Sequence, residues 1–545
     1  MRFFYWTALL FLVCPATAQQ PILTHRATLN AASLAPFGLP NAPLARGGVF
    51  TIFGESLGPV QPQSVSAFPL GTDLAGVSLS LTQADKTMVA AIPLFVSPSQ
   101  INAILPSTAK AGLASLRVTY QGRKSNAIPI QIGDSGPGIF AISSGGYGPG
   151  VVQNFVAADN QPINSLNTPA APGQTITIWA TGLGPVNFSD NVAPQAGDVA
   201  APVSITIGGK LAGKLYSGRA PCCSGVDQIV ATIPNDAPPG CWVPLQVKAG
   251  GVVSNTVTIA IAAKGSATCS DASNPLSSLE RAPRTQGFVH IQRVDSISDV
   301  TSAPVATLLD NLYARFITPS SPDFAFDPYL SYPPAGSCLV HQTSGDANVN
   351  KSLRGAVNPG VALSPKPVIG FNNGVEDGKF FGDAPSYSSI TLGGTVGGNP
   401  LGLVLANSAA KLTVDGIAMP LKLVAPPRWD QRDALTVINR SVPLVLNFLP
   451  GDPTAPTAIV IYSYAAYANA TVEVQCLAGA GSSSFTVPAA VLANLPQSYR
   501  TLDGSYTQVA LGTLSPAGRT IFTTPRVENG VLLFSSWISS SVVMQ

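Results

Sequence analysis

"GGVFTIFGESLGPV" at residues 47–60 and "GQTITIWATGLGPV" at residues 173–186 agree at seven of fourteen positions without a gap: Gly47/Gly173, Thr51/Thr177, Ile52/Ile178, Leu57/Leu183, Gly58/Gly184, Pro59/Pro185 and Val60/Val186. The correspondence continues downstream. "SQINAILPSTAKAG" (99–112) matches "DQIVATIPNDAPPG" (227–240), and "SNAIPIQI" (125–132) matches "SNTVTIAI" (254–261). Starting positions of 47 and 173, 99 and 227, and 125 and 254 give offsets of 126, 128 and 129, so two copies of one unit differ only by short insertions.

Both copies read as strands. "VFTIFG", "VSLSLT", "SLRVTY" and "AIPIQI" in the first, and "TITIWA", "VSITIG", "WVPLQV" and "TVTIAI" in the second, alternate apolar with polar or small residues, the period of a pleated strand. Gly, Pro and Asn punctuate the intervals, and no helical period is present. Gly (51) and Pro (49) together make 100 of the 545 residues, a density that breaks helices but suits strands joined by tight turns. Many short strands over about a hundred residues imply tandem immunoglobulin-like β-sandwiches, an all-β fold class, followed here by a larger β-rich C-terminal region.

Charged residues are only 10% of the chain, against a usual ~25%, with hydrophobics an ordinary 46%. The net charge is +2 and no Lys/Arg cluster occurs, which argues against a nucleic-acid partner. Arg2, an apolar run from Phe3 to Val13 and the small residues Ala16-Thr17-Ala18 have the order of a secretory signal occupying residues 1–18, cleaved before Gln19. That run is too short to span a bilayer. Cys14 raises the alternative of lipid attachment, but Val13 stands where a lipoprotein signal wants a small residue.

Beyond Cys14, six cysteines remain: Cys222, Cys223, Cys241, Cys269, Cys338 and Cys476. An even number in an exported chain implies disulfides. A metal site would need ligand spacing that is missing, since the three histidines, His25, His290 and His341, lie away from the cysteines and no C-x-x-C occurs. Cys222 and Cys223 would point to opposite faces of an extended segment, so each is expected to reach its own partner, with Cys241 and Cys269 the nearest. By elimination, Cys338 is left for Cys476.

Gly54-Glu55-Ser56-Leu57-Gly58 fits G-x-S-x-G, the nucleophile elbow of serine hydrolases. An elbow needs a helix after its serine, whereas Pro59 and Pro62 follow here. The second copy carries Gly182 where the first has Ser56, and the nearest histidine, His25, lies in the N-terminal extension. The stretch is read as a strand-end turn, and no catalytic residue is assigned.

The block from "GPGVVQNFVAADNQPINSLNTPAAPG" through "TIWATGLGPV" to "YSGRAPCCSGVDQIVATIPNDAPPGCWVPLQVKAGGVVSNTVTIAIA" resembles the uncharacterised secreted C-terminal repeat domain of Solibacter-type acidobacterial proteins, itself similar to IPT/TIG immunoglobulin-like modules. The resemblance covers about residues 137–263 well and 34–134 more loosely. It implies an exported bacterial β-sandwich module without catalytic residues.

The expected organisation is a signal at 1–18, sandwiches at 34–134 and 137–263, a linker at 264–287 and a β-rich region at 288–545, either one large sandwich or two small ones. "FVHIQRVDSI", "SSITLGG", "KLTVDG", "AIVIYSY", "ATVEVQCLA" and the closing "VLLFSSWISSSVVM" supply strand patterns there. "VQCLAGAGSSSFTVPAAVLANLP" looks like the final part of β-rich regions attached to such repeats.

Three further groups of residues bear on a ligand. "FNNGVEDGKFFGD" (371–383) gathers Asn372, Asn373, Glu376, Asp377 and Asp383, oxygen donors for calcium, but without EF-hand spacing, so it is read as a solvated turn. "GGTVGGNPLG" (393–402) has the glycines of a phosphate loop but no Lys, and is read as a hairpin. Trp179, Trp242, Trp429 and Trp537 lie in strand-like runs where they fill the core or stack on a sugar. No cofactor is implied. The sequence thus points to an exported, non-enzymatic, multi-domain β protein for binding or surface structure, with an extracellular glycan, polymer or cell-surface protein as partner. The competing reading is a carbohydrate-active or carbohydrate-binding protein with its site in 288–545, to be distinguished by two facing carboxylates in a cleft.

Overall fold

The computed structural model describes residues 19–271, 274, 284–298, 305–320, 322–328, 331–346, 360–372, 388–396, 399–402, 409–498 and 504–545. The signal segment with Cys14, and residues 373–383 of the calcium candidate, lie outside the described residues. The fold is all-β: two immunoglobulin-like sandwiches precede a larger β-rich region, and the only α-helix among the described residues is the single turn Ala489–Leu492.

The principal strands of the first unit are β1 (Ile22–Asn30), β2 (Val49–Glu55), β3 (Val77–Gln83), β4 (Met88–Val96), β5 (Gln100–Ile104), β6 (Gly112–Tyr120) and β7 (Ile128–Gly133). Strand β4 serves both layers: Met88–Ala91 pair with β3, and Ile92–Val96 pair with β5. The alternating apolar residues Phe50, Ile52, Leu79, Leu81, Ile101, Leu116, Val118 and Ile130 meet between the layers, each almost fully withdrawn from water. Such burial stabilises by about 1.5–3 kcal/mol per large aliphatic side chain.

In the second unit, β8 (Thr175–Thr181), β10 (Gly213–Arg219) and β11 (Val226–Thr232) form one layer. Strands β9 (Val203–Ile207), β12 (Gly240–Ala249) and β13 (Val257–Ile261) form the other. Ile176, Ile178, Ile205, Ile229, Leu245 and Ile259 fill the space between them.

The two copies agree in register, residue for residue. Phe53 stands opposite Gln100 and Ile52 opposite Ile101, while Trp179 stands opposite Gln228 and Ile178 opposite Ile229. The Ser-Asn pairs repeat the same bonding. Ser125 Oγ accepts from Val118 N at 3.0 Å, and Ser254 Oγ accepts from Val247 N at 3.0 Å. Asn126 exchanges hydrogen bonds with both backbone groups of Leu23, as Asn255 does with Ile139. The first repeat therefore reaches back to Leu23. The segment expected to be an extension is β1, with Leu23, Ala27 and Leu29 buried and His25 exposed.

The C-terminal region is built on one long sheet, which holds β14 (Gln286–Ser298), β15 (Val305–Pro319), β16 (Cys338–Ser344) and β18 (Ser388–Val396), with β17 (Ile369–Asn372) outside it. Strands β22 (Thr457–Ala465), β23 (Ala470–Ala478), β25 (Tyr506–Thr513) and β26 (Asn529–Met544) complete it. The order across the sheet is β16-β23-β22-β25-β26-β14-β15-β18. The closing apolar run is β26, a central strand between β25 and β14.

Two small sheets cover one face of the long sheet at two places. Strands β17, β19 (Lys411–Val414) and β20 (Ile417–Pro420) cover Val289, Ile291, Leu312 and Phe534. Strands β21 (Leu444–Asn447) and β24 (Ser484–Val487) cover Ile459, Ile461, Val474 and Val509. In the glycine-rich 393–402 stretch, Gly393–Val396 pair antiparallel with Asn399–Gly402, the pairing expected of a hairpin.

Disulfides join Cys222 to Cys223, Cys241 to Cys269 and Cys338 to Cys476. The first two correct the expected pairing. Residues 220–226 form a turn, with Cys223 N donating to Ala220 O and Val226 N to Cys223 O, so the alternation of an extended segment does not apply. Moreover, Gly225 beside this turn packs toward Val49 and Ile104 of the first unit, whereas Gly240 next to Cys241 packs on Pro334. The two cysteine groups thus sit at opposite ends of the second sandwich. Cys338 and Cys476 are direct cross-strand neighbours.

Candidate functional site

Ser56 sits at the end of β2 with φ +54°, and no helix follows through Pro62. Its counterpart Gly182 has φ +85°. The position is a left-handed strand-end turn in both copies, which is why glycine serves there. His25, exposed on β1, belongs to no hydrogen-bonded triad with it among the described residues.

The turn's neighbourhood is structural. Arg219 and Asp227 form a buried ion pair at 2.5 Å, with side-chain exposures of 2% and 0%. Leu183 N donates to the same carboxylate at 2.8 Å, and Arg219 reaches Gly184 O at 3.3 Å. Burial pushes the Asp227 carboxyl up to about 6 against the pull of Arg219 and the Leu183 and Gly182 amides. Val49 N donates to Thr181 Oγ1 at 2.8 Å, and Ser107 holds Asp190 through its amide and hydroxyl, so this knot clamps the first sandwich to the second.

The tryptophans resolve toward packing: Trp242, Trp429 and Trp537 are 5% exposed or less. Trp179 is half-buried, its indole N–H donating to Gln153 Oε1 at 2.8 Å.

A different set of residues forms an open, polar and aromatic surface. Register places His341, Glu473, Tyr462, Gln508 and Ser541 in one row across β16, β23, β22, β25 and β26. The adjacent row is Thr343, Thr471, Tyr464 and Tyr506. Cross-strand partners project from the same face, about 5 Å apart at Cβ. The alternate residues Val340, Val474, Ile461 and Val509 face the other way into the core, so the strands must present these polar residues outward.

Tyr506 is 50% exposed, and its ring lies 5.8 Å from those of both Tyr462 and Tyr464. Tyr464 OH donates to Asn469 Oδ1 at 3.1 Å, and Tyr462 OH lies 3.4 Å from Thr471 Oγ1. Partial burial, with help from Tyr462, pushes the Tyr506 hydroxyl up to about 12, so all its work near neutrality is done as a neutral donor and acceptor.

At one end the face closes. Tyr332 packs on Ala458, Val460 and Trp537, and Gln475 Nε2 donates to Pro328 O and to Glu473 Oε1, each at 2.6 Å. Burial pushes Glu473 up to about 7 and lowers His341 to about 4. Both ring nitrogens of His341 are buried without a hydrogen-bond partner, among the rings of Tyr147 and Phe326.

Glu473 is the one acid in β16, β22, β23 and β25. Two other buried acids of the region, Asp310 and Asp327, are each paired with an arginine, Arg293 and Arg315. No facing carboxylate pair of a glycosidase is found on this surface. Among the described residues there is no cluster of three or more metal-ligating side chains, and no helix is long and apolar enough to cross a membrane.

Sequence reasoning missed this surface because it weighed only tryptophans as sugar-stacking groups. The signal was in "IVIYSYA", where Tyr462 and Tyr464 take alternate positions and must share a face.

With its sandwiches and this surface, the chain belongs to the class of all-β proteins built from tandem immunoglobulin-like units. No protein-family model and no curated protein matches it. Among solved structures, it is similar to a tetra-tandem repeat from the extending region of a large adhesion protein, at 11% identity over 93% of this chain and 97% of that one, TM-score 0.13. Domains 5–6 of the S-layer protein SbsC align at 11% identity over 44% of this chain and 98% of that one, TM-score 0.13. SGBP-B of a Bacteroides ovatus mixed-linkage glucan utilization locus, in complex with a heptasaccharide, aligns at 10% identity over 86% and 92%, TM-score 0.13. TM-scores of that size establish neither a common arrangement nor a common role.

Proposed function

We propose that this chain is an exported, multi-domain binding protein of the Solibacter-type secreted repeat class, and that it binds an extracellular glycan on the tyrosine face of its C-terminal region. The observation that carries this reading is the cluster of Tyr462, Tyr464 and Tyr506, drawn from two adjacent cross-strand rows, partly exposed on the sheet and flanked by Gln508, Thr471 and Glu473. Tyrosine offers an apolar ring for sugar C–H groups and a hydroxyl for sugar hydroxyls at low entropic cost. The division into sandwiches at 34–134 and 137–263 and a region at 288–545 belongs to the same reading. The function is binding without chemistry.

The test is affinity electrophoresis of the mature chain from Gln19 in gels containing soluble polysaccharides. Retardation by at least one polysaccharide is expected, lost in Tyr462→Ala/Tyr506→Ala and retained in Ser56→Ala. Retardation unchanged by the tyrosine substitutions, or capture of a surface protein with no polysaccharide binding, overturns the reading.

A further inference from the structure

The charge of the tyrosine face restricts what it can take. Strands β16, β22, β23 and β25 contain no Lys or Arg. Their one acid, Glu473, is the direct cross-strand partner of Tyr462, in the middle of the row. The nearby cation Arg26 is engaged with the Tyr467 carbonyl at 2.8 Å, beyond the end of the β22–β23 hairpin. His341, the remaining titratable group of the row, is buried among Tyr147 and Phe326 and stays neutral near pH 7.

An anionic sugar laid on these four strands would lose part of its hydration and gain no strand cation in return, while Arg432 beside them is engaged with the Ser539 carbonyl and Asp295. It would also meet the Glu473 carboxyl at close range. A neutral sugar asks only for what the face holds. The Tyr462 hydroxyl, hydrogen-bonded to Tyr506 and 3.4 Å from Thr471 Oγ1, and the Thr471 hydroxyl itself keep acceptor lone pairs for a ligand hydroxyl, and Gln508 lies beside them.

We infer that the glycan bound here is a neutral polysaccharide, and that Glu473 is a specificity-determining residue that rejects chains bearing carboxylate or sulfate groups. The inference rests on the glycan-binding reading of the same face and adds the chemical class of its ligand.

The experiment compares retardation of the whole mature chain by neutral polysaccharides (galactomannan, hydroxyethyl cellulose) and by acidic ones (alginate, polygalacturonate) at pH 8.5, where the Glu473 carboxyl, held up to about 7 by burial, is ionised, at low salt and at 0.5 M salt. The wild type is expected to be retarded by a neutral polymer and not by acidic ones. In Glu473→Gln the ratio of acidic to neutral retardation rises by about fivefold to tenfold, the size of one close like-charge contact at a partly solvated site. Added salt should raise the same ratio in the wild type by screening the carboxylate, a readout independent of the variant's folding. Equal binding of acidic polymers by the wild type, or a ratio indifferent to both Glu473→Gln and salt, overturns the assignment while leaving glycan binding standing. Retardation by no polysaccharide at all overturns the underlying reading instead.

Discussion

Arg219 and Asp227 meet at 2.5 Å in a place where neither side chain touches water, at the seam between the first and second sandwiches. Removing one partner leaves an uncompensated buried charge, which typically costs about 3–5 kcal/mol. Asp227→Ala and Arg219→Ala are each expected to destabilise by about that much in urea denaturation. Arg219→Met/Asp227→Leu should cost less than the sum of the single changes, because no lone charge remains. Additive losses would show that the two residues do not act as a pair.

The three disulfides should differ in worth by the length of chain they close. Cys338–Cys476 spans a sequence separation of 138 and Cys241–Cys269 one of 28, whereas Cys222–Cys223 spans 1. By the chain-entropy relation the first two contribute about 5 and about 3.5 kcal/mol, and the third nothing through loop closure. Cys338→Ala/Cys476→Ala is therefore expected to lower the melting temperature strongly, and Cys222→Ser/Cys223→Ser to leave it nearly unchanged. Thiol labelling of the unreduced mature protein should find no free thiol; labelling at Cys222 or Cys223 would show that the vicinal bond is absent.

The repeat was legible because strand register is set by the alternating apolar pattern, and two copies with the same pattern must pair alike. Phe53 opposite Gln100 and Trp179 opposite Gln228 are the direct consequence. The start of the first repeat was not legible, because β1 joins it through a ladder to β2 whose register shifts between Leu23 and Thr28, and through Asn126, reaching 103 residues back to Leu23. The vicinal cysteines were misread because a local turn overrode strand alternation. The candidate site was hidden for a third reason: Tyr462, Tyr464 and Tyr506 come from two strands whose adjacency depends on sheet order, and composition carries no trace of that.

Ser56 should be dispensable. Its left-handed conformation costs about 1 kcal/mol, but glycine there would enlarge the freedom of the unfolded chain by a similar amount. Ser56→Gly and Ser56→Ala are expected to change stability by about 0.5 kcal/mol or less, and a fluorophosphonate probe should label neither the wild type nor the variants at this position. By contrast, a Cβ at Gly54 would collide with the carbonyl oxygen of Ile22, and one at Gly182 with that of Gly136. Gly54→Ala and Gly182→Ala should therefore each cost about 2 kcal/mol or more. Specific labelling of Ser56 would restore the nucleophile elbow.

His341 gives the fold a defined acid sensitivity. Its ring is 5% exposed, both nitrogens lack partners, and burial lowers it from 6.5 to about 4. Above pH 6.5 the group is neutral in both states and contributes no pH dependence. Below 6.5 the unfolded chain takes up a proton that the folded chain refuses, so stability is lost as pH falls, by about 1.4 kcal/mol per unit, until the folded histidine itself titrates near pH 4. Glu473 has the opposite sign: held up at about 7, it keeps a proton in the folded state that the unfolded chain has released, so its contribution to stability falls as pH rises from about 4.5 to 7. Comparing variants isolates each group from the rest of the titration. His341→Phe, which replaces one ring by another between Tyr147 and Phe326, should gain on the wild type by about 2 kcal/mol at pH 5 and show no pH-dependent gain above pH 6.5. Glu473→Gln should instead gain on the wild type as pH rises from 4.5 to 7. Urea denaturation of the three proteins between pH 4.5 and 8 measures both slopes, and a His341→Phe difference that stays flat below pH 6.5 would mean that the imidazole is solvated or partnered in the folded protein.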